Sequence, residues 1–123
     1  MAHQTSDNAW AAAAQRAAVS LDIRTFTFDS QPCWVVKDAG RAMGYGRDGS
    51  RFTSVVTRFV DTGWREFTGA ELARLKAQNP YLDSKGRRLV VVYADGLISA
   101  LDYARGERAV AARAAARCCR EGR

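Results

Sequence analysis

The sequence is poor in the residues that most chemistry needs: it has one histidine, His3, two prolines, and only Cys33, Cys118 and Cys119 as cysteines. With a single imidazole close to the first residue, no Ser/His or Cys/His nucleophilic pair can be placed. The cysteines are odd in number and lack CxxC spacing, so neither a zinc site nor a disulfide framework is indicated. HExxH and GxxxxGK[ST] are absent, and Asp29, Asp48, Asp61, Glu66 and Glu71 show no spacing that marks a metal site or an acid/base pair. An enzyme is the least favoured class, no cofactor or metal is expected, and a reducing cytoplasm is the expected location. No apolar run approaches the roughly 20 residues of a membrane-spanning helix. The alanine tract 11–18 is broken by Gln15 and Arg16 and lacks a cationic lead-in, so it reads as neither membrane anchor nor signal peptide.

What the chain has is length for one modest core, at 123 residues, and ordinary globular composition, at 47% hydrophobic and 26% charged, which argues for a single folded domain. It also has charge. Nineteen basic against 13 acidic residues leave a net +6, which favours polyanionic partners. The excess is uneven: residues 23–60 carry +3 and 104–123 carry +4, whereas 61–103 are neutral and 1–22 sum to −1. Only Lys37, Lys76 and Lys85 are lysines; arginine's planar fork suits bidentate contact with phosphate or guanine. The codon bias of a GC-rich genome explains the arginine excess equally well.

Along the chain, residues 8–18 read as a short alanine-rich helix capped by Ser6 or Asp7, or else as a frayed arm. Residues 23–28 alternate and 33–36 continue in β-formers, predicting an N-terminal β-hairpin around Asp29, Ser30, Gln31 and Pro32. Asp38 offers an N-cap oxygen to a two-turn helix with Ala39, Ala42 and Met43 inward, and Gly44 supplies its left-handed exit. Residues 46–50 form a polar loop. In 51–60 the apolar residues Phe52, Val55, Val56 and Phe59 fit a helical stripe while Thr and Val content pulls toward strand; the periodicity predicts a helix, with Ser50 as its cap. Thr68 to Glu71 reads as a capping box for a helix that stops before Pro80. Residues 88–93 predict a C-proximal strand, Asp95 caps a helix carrying Leu97, Ile98 and Leu101, and Gly106 precedes a last, arginine-rich amphipathic helix. In that helix Ala111, Ala114, Ala115 and Cys118 are expected to pack, with Arg113, Arg117 and Arg120 facing out. The fold class is therefore α+β, a small single domain, with 1–22 an arm or short helix and 23–121 the domain proper.

Several segments resemble the BRO N-terminal domain, known from baculovirus BRO proteins and phage antirepressors: the paired IRTFTF and CWVV, the KDAGRAMGY segment, and RLVVVYADGLISAL. The trailing ERAVAARAAARCCRE is similar to that family's final amphipathic helix, with Cys118-Cys119 where the family usually closes on an aromatic. From residue 46 to 86 the likeness lies in the order of elements. The resemblance implies nucleic-acid binding in a viral, phage or prophage setting, often beside a separate regulatory domain, and a stand-alone copy or shortened relative is expected here.

Phosphate contacts are expected from Arg41, Arg47, Arg51 and Arg58, from Lys85 and Arg87 in the basic loop 84–88, and from Arg113, Arg117 and Arg120. Each alone is more simply a solvated surface cation; the set carries more weight. Trp34, Phe26 and Phe28 read as core, Tyr45 as a packing or stacking ring, and Trp64 as a candidate for exposure. Two functions remain open: a DNA-binding regulator of phage or mobile-element type, and a small inhibitor that captures a repressor or host defence protein, whose acidic surface the same arginines would meet. A homodimer would suit both, although no heptad seam specifies one.

Overall fold

The hydrophobic run predicted for the C-proximal strand lies at the centre of the sheet in the computed structural model, which describes residues 2–47, 49–80, 82 and 87–121, with side chains for those from 10 to 117. Four antiparallel strands, β1 (Phe26–Phe28), β2 (Gln31–Val35), β3 (Trp64–Thr68) and β4 (Arg88–Tyr93), are ordered β1-β2-β4-β3. Side chains of a strand alternate between faces, and both faces of this sheet are covered. Val90 and Val92 enter one core cluster, with Trp34, and Leu89 and Val91 enter the other, with Phe26, Phe28, Cys33, Val35 and Phe67.

Six helices complete a small α+β domain among the described residues: α1 (Ala2–Leu21), α2 (Val36–Ala42), α3 (Ser50–Phe59), α4 (Gly69–Gln78), α5 (Ala94–Asp102) and α6 (Glu107–Glu121). Leu72 and Leu75 of α4 close the Phe28 and Phe67 cluster, and the remaining helices build the larger cluster on the opposite face. None of the described helices is long and apolar enough to cross a membrane.

Residues 2–21 form a helix and not an arm. Ala13, Ala14, Ala17, Ala18 and Leu21 of α1 are buried, chiefly against α6, which presents Ala109, Ala112 and Ala116. Methyl-sized side chains on both partners let the two helices pack closely. The helix starts at Ala2, so Ser6 and Asp7 lie within it and not at its cap. It ends with Asp22 at φ 58°, where the Asp22 N–H donates to Val19 O and the Ile23 N–H to Ala18 O, a Schellman closure with aspartate in the usual glycine place.

The hairpin turns on two residues, Asp29 and Ser30, both at positive φ, and Gln31 opposes Phe28. That is the primed turn whose twist matches paired strands. Three strands then run directly into helices: β2 into α2, β3 into α4 and β4 into α5. The N-cap residues Val35, Thr68 and Tyr93 are the last strand residues, in extended conformation and without a side-chain cap bond. This corrects the caps expected at Asp38 and Asp95, which lie inside the first turn, and the capping box, whose Glu71 carboxylate is engaged by Arg65 instead. α3 is likewise capped by Gly49, at φ 72°, with Ser50 as its first residue. The helical reading of residues 51–60 holds, as does the strand at 88–93.

Candidate nucleic-acid interface

α2 and α3 are held at very close range. A Cβ placed on Gly40 would lie 2.6 Å from both the Gly49 carbonyl oxygen and Cβ of Phe52, and one on Gly49 would lie 2.0 Å from the Lys37 carbonyl oxygen. Phe52 and Val56 turn inward, and Tyr45 packs its ring 5.1 Å from that of Phe52 while its hydroxyl accepts the Arg105 backbone N–H at 2.9 Å. Tyr45 is thus a packing residue. With its inner side fixed, α3 presents Ser50, Arg51, Ser54, Thr57 and Arg58 to solvent. Arg51 and Arg58, two turns apart, form one row, and α3 contains no acidic residue. Arg47 is exposed in the loop leading to it, and Lys37 is exposed on α2. Among the described residues, no ion pair engages Arg47, Arg51 or Arg58.

Arg41 is differently placed. It bonds Asp38 at 2.7 Å and lines an open cleft of about 340 Å³ with Arg24 and Arg108, two arginines that the sequence did not single out, and with Asp22 and Asp38. Burial pushes the Asp38 carboxyl up, while Arg41 and Arg24 pull it down. Arg108 also donates to Leu21 O at 3.3 Å, tying α6 to the end of α1. Arg87 is exposed beside β4; Lys85 and the Arg120 side chain lie outside the described residues.

The expected cationic stripe on α6 is not formed as read. Ala109, Ala112 and Ala116 are the buried positions, whereas Ala111 and Ala114 are exposed and Ala115 is half-buried. Arg113 consequently turns into the fold and donates to Leu101 O at 2.6 Å, which also accepts the Ala104 N–H, and to Ala104 O at 2.9 Å in the turn after α5. Arg117 stays exposed. The reason is compositional: α6 carries alanine nearly all round, so side-chain size could not choose its face, and the alanine stripe of α1 chose it.

Two aromatics were assigned differently by the sequence. Phe59, read as the last rung of the core stripe, is 50% exposed and stacks on Tyr103, which is 49% exposed, with ring centroids 5.4 Å apart and planes at 19°. Trp64, a candidate for exposure, is half-buried and donates its indole N–H to Val60 O at 2.7 Å. Trp34, Phe26 and Phe28 are core as expected, Trp34 donating to Thr25 Oγ1 at 2.8 Å. Cys33 is buried and its thiol is pushed up to about 12 by that burial, so it is held as the unreactive thiol at neutral pH. Among the described residues, no three His, Cys, Asp or Glu side chains gather as metal ligands would.

No protein-family model, curated protein or solved structure matches this chain.

Proposed function

We propose that the chain is a BRO-N-like DNA-binding regulatory domain of phage or mobile-element type. It would act by occupancy, laying the outward face of α3 and the adjoining Arg47 on the nucleic-acid backbone. The observation that carries this reading is the acid-free face of α3, with Arg51 and Arg58 in one row, hydroxyls beside them, and Arg47 and Lys37 on the flank. Cations mounted on a rigid helix exchange the condensed counterions of DNA for fixed charge, and hydroxyls can add bonds to phosphate oxygens. Hairpin, short helix, C-proximal strand and following helix also keep the order of elements on which the family resemblance rests.

A gel-shift salt titration on duplex DNA tests the reading. Each of Arg51→Ala and Arg58→Ala is expected to lower the slope of log K against log salt by about 1. Arg113→Ala should leave that slope unchanged, because its guanidinium is committed to the carbonyls of α5 and the turn after it. Absence of duplex binding at low salt would remove the proposal. Nuclease-resistant retention of an acidic protein on the same face would favour the inhibitor in its place.

A further inference from the structure

We infer that the Phe59–Tyr103 pair is a stacking site for an unpaired nucleobase, so that the DNA bound by this domain includes single-stranded bases; this rests on the DNA-binding reading above. The rings come from the ends of two helices. Phe59 closes α3, where the Val60 N–H is held by Val56 O at 2.9 Å, and Tyr103 closes α5, its own N–H held by Ala100 O at 3.0 Å. Both backbones are therefore fixed, and each ring uses one side on the other while leaving about half its surface to solvent. Near-parallel planes are the arrangement of an offset aromatic stack. A base laid on the outer side of either ring would continue that stack, and because every base has a π-face the contact is tolerant of sequence.

Charge around the pair suits a nucleic-acid strand. Arg58 immediately precedes Phe59, with Arg51 two turns back in the same row. Arg105 follows Tyr103 by two residues, its backbone fixed by the Tyr45 hydroxyl, and is itself exposed. Asp61 and Asp102 are the acids nearest in sequence, and both are exposed; they stand against Arg51, Arg58 and Arg105. A strand whose phosphates follow the arginine row could place a base on the rings beside it. The interior of a duplex cannot use the site, since each base pair there already has neighbours on both faces. The ligand it selects is an overhang, gap or single strand.

The test is fluorescence anisotropy of the full chain at one salt concentration with three labelled probes: a blunt duplex, the same duplex with a short single-stranded overhang, and that duplex with an abasic overhang of equal charge. The wild-type protein should bind the base-bearing overhang about tenfold more tightly than the abasic one. The double variant Phe59→Leu/Tyr103→Leu, which keeps apolar cover but removes both rings, should erase that difference and leave blunt-duplex affinity unchanged. Phe59→Tyr keeps a ring and should keep the preference, so a loss of folding in a leucine variant still leaves a decisive comparison. Equal affinity for the base-bearing and abasic overhangs would overturn the stacking site while the duplex-binding reading stood. No binding to any of the probes at low salt would remove both.

Discussion

Replacing Gly40 by alanine isolates the contact that sets α3 on α2. Gly40 lies in a helix, where alanine is favoured by about 1 kcal/mol, so on propensity alone the substitution should stabilise the protein. The structure reverses that sign. The added methyl carbon would meet the Gly49 carbonyl oxygen and Phe52 Cβ at 2.6 Å, and neither atom can rotate away, because one is backbone and the other is bonded directly to it. Relief requires the helices to part, an overpacking cost of about 1–3 kcal/mol. Setting the propensity gain against it leaves a net loss of about 1 kcal/mol, which for a domain of this length lowers Tm by about 4 °C, with twice that at the upper end of the range. Gly44→Ala is the control: it has open space around it but sits at φ +88°, so its cost is backbone strain alone, about 1–2 kcal/mol. Thermal unfolding followed by circular dichroism measures both. A Gly40→Ala protein that melts above the wild-type temperature would refute the close approach, whereas Gly44→Ala reports only on the turn.

Further outcomes follow from single side chains. Arg113→Ala should destabilise by about 1–3 kcal/mol in urea unfolding, because it leaves two carbonyls without their charged donor, whereas Arg117→Ala, exposed, should change stability by less than about 0.5 kcal/mol. Cys33 should react with a thiol reagent at pH 8 only as fast as the protein opens, and prompt labelling in the native state would show that the site is not sealed. Asp38 has its folded pKa raised, mainly by burial; the native state therefore holds this proton more tightly than the unfolded chain, and the group's contribution to stability is greatest below its unfolded pKa and falls as pH rises through the folded one. The difference in stability between wild type and Asp38→Asn, measured by urea unfolding at pH 3 and pH 7, should accordingly shift in favour of the variant at the higher pH; a shift in the opposite direction would contradict the burial argument.

Much of the fold was legible because its signals are local. The run Leu89 to Val92, Gly44 and Gly106 each act through their own backbone or through continuous burial, and the structure keeps them where the sequence indicates, whereas the connection read over 29–32 shortens to Asp29-Ser30, with Gln31 and Pro32 already in β2. The polar caps were misread for one shared reason. Where a strand passes straight into a helix, the residue before the helix is extended as strand geometry already requires, and Asp38 or Asp95 falls a few residues too late to cap. β3 escaped notice because Trp64 to Thr68 mixes ring, charge and hydroxyl over only five residues; the signal present was Arg65 and Phe67 on one face, and the guanidinium does lie 4.7 Å from the Phe67 ring centre. At the candidate site, the arginine row of α3 could be read from its spacing. The fate of Phe59 could not, since the periodicity that makes Phe52 and Val56 core continues through a residue at which the helix ends and Val60 takes the buried place.

The same distinction between local and tertiary information relocates the charge. Residues 61–103 are neutral in sequence, and in the fold some of their ions also meet, Arg65 with Glu71 and Arg88 with Glu66. The C-terminal block, the most basic in sequence, loses outward charge to structure: Arg113 closes α5 and Arg108 reaches back to the end of α1. Arg41 is shared with Asp38. Outside these contacts, Arg47, Arg51 and Arg58 sit together on and beside α3, with Lys37 on α2 and Arg105 beside the aromatic pair, whereas Arg16, Arg87 and Arg117 are single exposed arginines on α1, beside β4 and on α6. A polyanion approaching through long-range attraction would therefore be drawn to α3 in preference to α6, the helix that composition alone nominates, and the salt slopes of Arg51→Ala and Arg113→Ala measure which of the two surfaces it meets.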